Sequence, residues 1–373
     1  MICLLIFVII IFCSKYIKMS RLQDPHRPFF PFGNPFKMIS PKGSQLSSRL
    51  KSLLDAFEET LAERLRKLNP KDKSDVLSLS WMKFAVESLC ETHNDVKTLI
   101  TDLELPVSDW DEKWRDMYLD ISVKLLDICI AFSSELTRLN QGHLLLKWVL
   151  HNLKSNTSEQ LVRARSSLDS WRQLIRSKNP RVDNCGTILD DLVVSLDLPK
   201  AKNSDKGKVL MRAMYGFKAA TVFLCSIFAA AFSGSVNKLL DLNVPDTFSW
   251  AHTFRDLQMN VNGEIRSILS SGTGTVLKEL DAVDVIVKKL YPWIQDGVAH
   301  GEIEVFQNSM SELERAAVLD AILLWDEFSP QTQLFQEEFL LSELTVPMVS
   351  RNVSSLIVIH FISLELELLR SVC

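Results

Sequence analysis

No Cys-x-x-Cys pair, no His-Glu-x-x-His and no Gly-Lys-Ser/Thr phosphate loop occurs in these 373 residues, so the common local signatures of redox, zinc and nucleotide chemistry are missing. Glycine is scarce, at 12 residues, which argues against a many-stranded sheet with its tight turns and bulges. An excess of one charge is lacking too. The 42 Lys plus Arg against 46 Asp plus Glu leave −4, too little positive field to hold a nucleic acid by its phosphates. The seven cysteines (3, 13, 90, 129, 185, 225 and 373) are scattered through apolar segments and read as reduced packing residues. Sequons at Asn156 and Asn352 carry no meaning outside a secretory lumen, and a cytoplasmic or membrane-associated location is the default. Apolar side chains, by contrast, make up 47% of the sequence, enough to exclude wholesale disorder.

Those apolar residues step by three and four. Leu50, Leu53, Leu54, Phe57, Leu61, Leu65 and Leu68 form one stripe that ends at Asn69-Pro70. A second helix is predicted over about 74–100, stopping at Leu105-Pro106, with Ser108 or Asp109 available to cap the next. The strongest seam is Trp114, Tyr118, Ile121, Leu125, Ile128, Phe132, Leu136 and Leu139, after which Gly142 predicts a break or kink before 143–154. Leu161, Ala164, Leu168, Trp171 and Ile175 repeat the stepping until Asn179-Pro180, and a further helix is expected near 183–197. A long apolar segment runs from about 209 to 240. Two more seams, Trp250 to Ile268 and Val276 to Leu290, follow on either side of the turn Ser270-Ser271-Gly272-Thr273-Gly274. The pattern predicts an all-α protein, an elongated antiparallel multi-helix bundle over 45–320.

The ends read differently. Residues 1–18 open on MICLLIFVIIIF, which as a helix covers only ~18 Å of a ~30 Å hydrocarbon core. Met19 supplies an alternative start, and we read 1–18 as an extension of the gene model. Residues 19–44 are a Pro/Phe-rich arm in which Pro25, Pro28, Pro31, Pro35 and Pro41 alternate with Phe29, Phe30, Phe32 and Phe36, excluding helix. The arm suits a partner's groove or, as we prefer, folding back on its own bundle. Residues 321–373 form a divergent apolar tail.

The search for chemistry yields no catalytic residue, no cofactor site and no metal site. Cys90-Glu91-Thr92-His93-Asn94-Asp95 holds nucleophile, acid and base types, but a helix spreads them round more than one face. Gly272-x-Gly274 lacks the strand and third glycine of a dinucleotide fingerprint. Asp102, Glu104, Asp109, Asp111 and Glu112 flank helix ends, where carboxylates suit the dipole.

One feature rises above this background. Lys200, Lys202, Lys206, Lys208, Arg212 and Lys218, opposed only by Asp205, directly precede the uncharged run 219–236. Eighteen such residues rise ~27 Å, and a basic flank meets anionic lipid at roughly 1 kcal/mol per cation. A single span at 219–236, a peripheral lipid-facing patch and a buried core helix rich in small residues all fit the pattern.

Several segments resemble the BYPASS family of plant proteins: RPFFPFGNPFKMISPKGS (27–44), LSWMKFAVESLCETHNDVKTLITDLELPVSDWDEKW (79–114), SVKLLDICIAFSSELTRLNQG (122–142) and SSLDSWRQLIRSKNPRVDNC (166–185). KGKVLMRAMYGFK (206–218), FAAAFSGS (228–235) and VLKELDAVDVIVKKLYP (276–292) extend it over most of Ser20 to about Arg315. The resemblance implies a non-enzymatic regulator of root and shoot development that restrains a root-derived, carotenoid-related mobile signal, with protein partners, no nucleic acid and no assigned catalytic residues. Its wider relatives imply one rival role, a membrane-associated adaptor in exocyst-linked vesicle traffic; a second rival, read apart from the resemblance, is a carrier or enzyme for an apolar metabolite held in the bundle. A plastid location has been attached to the family, although 1–18 lack the Arg and Ser of a transit peptide. After about Asp320 the sequence leaves the family pattern, and a spliced-in or read-through exon is the expected origin of the tail.

Overall fold

The structure, a computed structural model, describes residues 46–72, 75–104, 112–154, 157–196, 205–270, 277–296 and 303–321, all within the first of the chain's two units, Met1–Glu327. The Pro/Phe arm, Ser108, Asp109, Gly272, Gly274 and the tail beyond Ala321 lie outside the described residues. Among those described there is no strand, and the fold is an all-α helical bundle.

Helix α1, Ser48–Leu68, starts where the Ser47 side chain accepts the Leu50 amide at 3.3 Å and buries Leu54, Phe57, Leu61, Leu65 and Leu68. Helix α2, Leu79–Leu103, is capped by Ser78, which accepts the Trp81 amide at 3.2 Å. The Trp81 indole donates to the Leu68 carbonyl at 3.0 Å, tying the end of α1 to the start of α2. Helix α3 spans Glu112–Leu153, 42 residues or ~63 Å. Helix α4, Ser158–Arg176, begins at Thr157, and α5, Pro180–Val194, at Asn179, with Pro180 in the first turn where no amide partner is needed. Helix α6, Asp205–Ser233, ends at Gly234, whose φ of +63° costs glycine little. Then come a 3-10 turn (Val236–Lys238), α7 (Ala251–Ser270), α8 (Lys278–Asp296) and α9 (Ile303–Ala321).

Gly142 does not break α3; the helix runs through it. A β-carbon there would meet Leu174 Cδ2 at 3.4 Å and Trp171 Cδ1 at 3.5 Å, so the position serves close approach of α4 rather than a kink. Those are ordinary contact distances. Gly142→Ala is therefore expected to stabilise the protein by about 0.5–1 kcal/mol. Gly216 in α6 is the opposite case, because its β-carbon would lie 2.8 Å from Leu61 Cδ2 and 3.4 Å from the Trp250 ring. Gly216→Ala is expected to cost about 1–3 kcal/mol, and urea unfolding of the two variants checks both signs.

Sequential neighbours α1 and α2 run antiparallel, with Arg49 beside Glu104 and Arg64 beside Glu91. So do α3 and α4, where Arg138 reaches the Leu174 carbonyl and Gly142 faces Trp171. α6 and α7 run the same way instead, because 234–250 carries the chain back along α6: Leu240 donates its amide to Ser226 and Trp250 returns to Tyr215. Two apolar cores result. The first gathers α1, α2, the front of α3, α5, α6 and α7; the second joins the end of α3 to α4, α8 and α9 around Leu150, Leu168, Trp171 and Val287. The seams of α7 and α8 therefore serve different cores. The stripe of α8, Val283, Val287 and Leu290, shares the second core with Leu168 and Trp171 of α4.

Candidate functional site

Two polar clusters sit inside this apolar frame. Glu58, 4% exposed, interrupts the α1 stripe between Phe57 and Leu61. Arg212 of α6 pairs with its carboxylate, donates to the Thr247 carbonyl and lies 4.5 Å over the Phe248 ring. Ser249 completes the acceptor's shell, donating its amide at 2.9 Å and its hydroxyl at 2.8 Å to Glu58 Oε2. One buried charge thus ties together α1, α6 and the return segment. The second cluster is Glu135, 1% exposed, which accepts from Arg138 Nε at 2.9 Å and from Asn179 Nδ2 at 3.1 Å. Asn179 also caps α5 through its Oδ1. Hence this cluster fixes the corner where α4 passes to α5 against α3. The signal for both was legible: a carboxylate lying on an apolar stripe.

The stretch Cys90 to Asp95 contributes to packing. Burial pushes the Cys90 thiol up, and His93 stands 5.5 Å from the Phe217 ring, its pKa lowered to about 4 by burial and, secondarily, by Lys97. Glu91 and Asp95 both face Arg64 of α1, which also donates to Thr92. A thiol kept protonated beside a neutral imidazole is the reverse of an activated pair. Burial likewise drives Cys185 to about 11 and Cys225 to about 12. His93 has a measurable consequence. Its folded pKa lies below the ordinary histidine value of 6.5, so its contribution is intact above pH 6.5 and is lost as pH falls toward about 4. Relative to His93→Gln, the wild type is expected to lose on the order of 3 kcal/mol over that window in urea titrations at stepped pH.

Of the acidic cluster, Asp102 and Glu104 lie at the end of α2 with Arg49, Asp109 and Asp111 fall outside the described residues, and Glu112 opens α3. Among the described residues no group of three His, Cys, Asp or Glu is placed to hold a metal ion.

The four described cations of the basic run do not form one surface. Lys200 and Lys202 lie outside the described residues. Lys206 donates to the Glu104 carbonyl at 3.3 Å and Lys208 pairs with Asp205 at 2.8 Å. Arg212 serves Glu58, and Lys218 donates to the carbonyl and hydroxyl of Ser195 at the end of α5. The apolar run that follows is the centre of the first core. Helix α6 is long enough to span a membrane and contains an 18-residue stretch of mean hydropathy 1.6, yet 83% of that stretch is buried among its neighbours.

On the outer side of α3 and α4 an open groove of about 740 Å³ is lined by Leu144, Leu145, Trp148 and Leu174 with Gln141 and Gln173. Sequence reading missed it, because Leu144 and Trp148 lie off the buried face of α3.

The chain is 60% identical over 296 residues to Protein BPS1, chloroplastic, of Arabidopsis thaliana, covering 79% of this chain and 85% of that protein. It belongs to the BYPASS family. The chain is also 48% identical over 309 residues to UPF0496 protein 4 of Oryza sativa, subspecies indica, covering 82% of this chain and 68% of the rice protein. The family model described as Protein ROH1-like matches residues 40–180, from just ahead of α1 to the first residue of α5. No solved structure matches.

Proposed function

We propose that this BYPASS-family chain, a protein of plant development, restrains production of a root-derived, carotenoid-related mobile signal, acting through its surfaces without catalysis of its own. The observation that carries the reading is the 60% identity to the Arabidopsis relative, spread over 85% of that protein. The helical frame supports it. Glu58, Arg212, Glu135 and Arg138, the strongest concentrations of buried charge described, are turned on one another and on backbone groups. Expressing the chain in the roots of plants lacking the Arabidopsis relative, with wild-type shoots grafted above, is the test. Normal shoot growth is expected; shoots that arrest above roots containing the folded protein would overturn the proposal.

Lipid contact through the basic run is proposed for Lys200, Lys202, Lys206 and Lys208 alone, since Arg212 and Lys218 hold the bundle together. Reversing the charge of those four is expected to lower binding to anionic vesicles by at least tenfold, in line with roughly 1 kcal/mol per cation. Unchanged co-sedimentation would remove the lipid role.

A further inference from the structure

Helices α4 and α5 lie end to end along α3. Gly142 of α3 faces Trp171, Arg138 donates to the Leu174 carbonyl, Asn179 donates to Glu135 at 3.1 Å, and Asp191 of α5 pairs with Lys124 at 3.8 Å. From Asn179 to Asp191 the chain rises ~18 Å, while α3 covers ~16.5 Å from Glu135 back to Lys124, so α5 extends the line of α4. The two helices differ in sign. Four arginines and two carboxylates give α4 a charge of +2, and three aspartates with one arginine give α5 a charge of −2. Each faces solvent on the side turned from its buried stripe, with Val162 and Arg165 exposed on α4 and Asp183, Asp190 and Val194 on α5. Val162 is 67% exposed and Val194 78%. Among the described residues Arg165, Asp183 and Asp190 have no ion-pair partner, and Arg172 rests 4.4 Å over the Tyr291 ring.

The positions on either side of the corner match. Counted inward from Arg176, the last residue of α4, Arg172 lies ~6 Å, Arg165 ~16.5 Å and Val162 ~21 Å away. Counted from Pro180, the first residue of α5, Asp183 lies ~4.5 Å, Asp190 ~15 Å and Val194 ~21 Å away. A second ridge turned end for end therefore sets arginine against aspartate and valine against valine. The change of sign along the ridge selects the occupant. An anionic membrane or an acidic protein would suit α4 and be repelled by α5, whereas a second copy suits both.

We propose that the α4–α5 ridge is a self-complementary surface on which two copies of this chain associate about a two-fold axis near Lys178, α4 of each lying along α5 of the other. Arg165 then meets Asp190 of the partner subunit, Arg172 meets Asp183 of the partner subunit, and each contact is made twice. The ridge, about 55 Å long and 10 Å wide, offers ~550 Å² per copy, below the ~800 Å² of a standard interface. Lys178 of each copy faces its own counterpart at the axis, where like charges oppose the contact. The dimer is therefore weak, concentration-dependent and sensitive to salt. This is independent of the developmental role.

The test is sedimentation velocity of the full chain over a concentration series, at about 0.1 M and about 1 M salt, between which the Debye length falls from about 10 Å to 3 Å. The wild type is expected to dimerise at the lower salt and to dissociate at the higher, with Kd rising at least tenfold. Arg165→Glu and Asp190→Arg, each on an exposed position, are expected to be monomeric with unchanged circular dichroism, because each sets like charges together twice. Mixed in equal amounts, these two variants are expected to dimerise: the introduced glutamate meets the introduced arginine, and the native Arg165 and Asp190 meet in the other half. Lys178→Ser, which removes the repulsion at the axis, is expected to tighten the dimer severalfold. The proposal is overturned by a wild type monomeric at every concentration, including one whose Arg165 instead serves binding to anionic vesicles or polyglutamate. A dimer indifferent to salt or to either charge reversal, or a mixture that stays monomeric, overturns it as well.

Discussion

Arg212→Met is expected to lower the unfolding free energy by about 3–5 kcal/mol, the range found when a buried charge loses its partner. The loss falls on Glu58. Its side chain is 5% exposed, and with the guanidinium gone it would keep only the Ser249 amide and hydroxyl. The Thr247 carbonyl and the Phe248 ring would lose their cation at the same time. Changing both partners together, Glu58→Met with Arg212→Met, removes the orphaned charge and lets two apolar side chains fill the space between α1 and α6. The double variant is therefore expected to be more stable than Arg212→Met alone by at least ~2 kcal/mol. Chemical denaturation of the three proteins supplies the comparison. If the two substitutions simply add, Glu58 and Arg212 are not a coupled pair and the account of this cluster is wrong.

The contrast between what sequence revealed and what it concealed follows from the reach of each interaction. Helices α1, α4 and α7 were plain because a 3–4 stripe and a terminal signal such as Asn69-Pro70 or Asn179-Pro180 act within a few residues. Gly142 misled because a lone glycine costs a helix only about 1 kcal/mol, and the packing of Trp171 and Leu174 outweighs it. The parting of α7 and α8 into separate cores was not legible, since nothing local to either stripe states which neighbour it will cover. The Glu279 carboxylate makes the same point, accepting the Leu79 amide at 2.9 Å across 200 residues of sequence to cap α2. The basic run was only partly legible for a related reason. Charge density along the chain says nothing of direction, and two of its members, Arg212 and Lys218, turn toward Glu58 and Ser195.

Helix α6 supports the other large expected effect. Every residue from Ala219 to Ala231 is at most 6% exposed, and a run of that length goes right round the helix. In the same core are Leu61 of α1, Val96 of α2, Leu189 and Leu192 of α5, and Phe254 and Val261 of α7. Moving α6 into a bilayer would return those side chains to water at about 1.5–3 kcal/mol each, so six of them alone approach or exceed the ~5–15 kcal/mol by which a domain is stable. Bundle and single span therefore exclude one another in one molecule. The wild-type protein is expected in the supernatant after alkaline carbonate treatment. Ala230→Asp, which buries a carboxylate with no partner at the centre of the core, is expected to cost more than ~4 kcal/mol and to abolish cooperative unfolding. Ser233→Asp, in the last turn and half-buried, is the control and is expected to remain folded. Carbonate-resistant pelleting of the wild type, joined with normal folding of Ala230→Asp, would show that α6 leaves the core for the membrane.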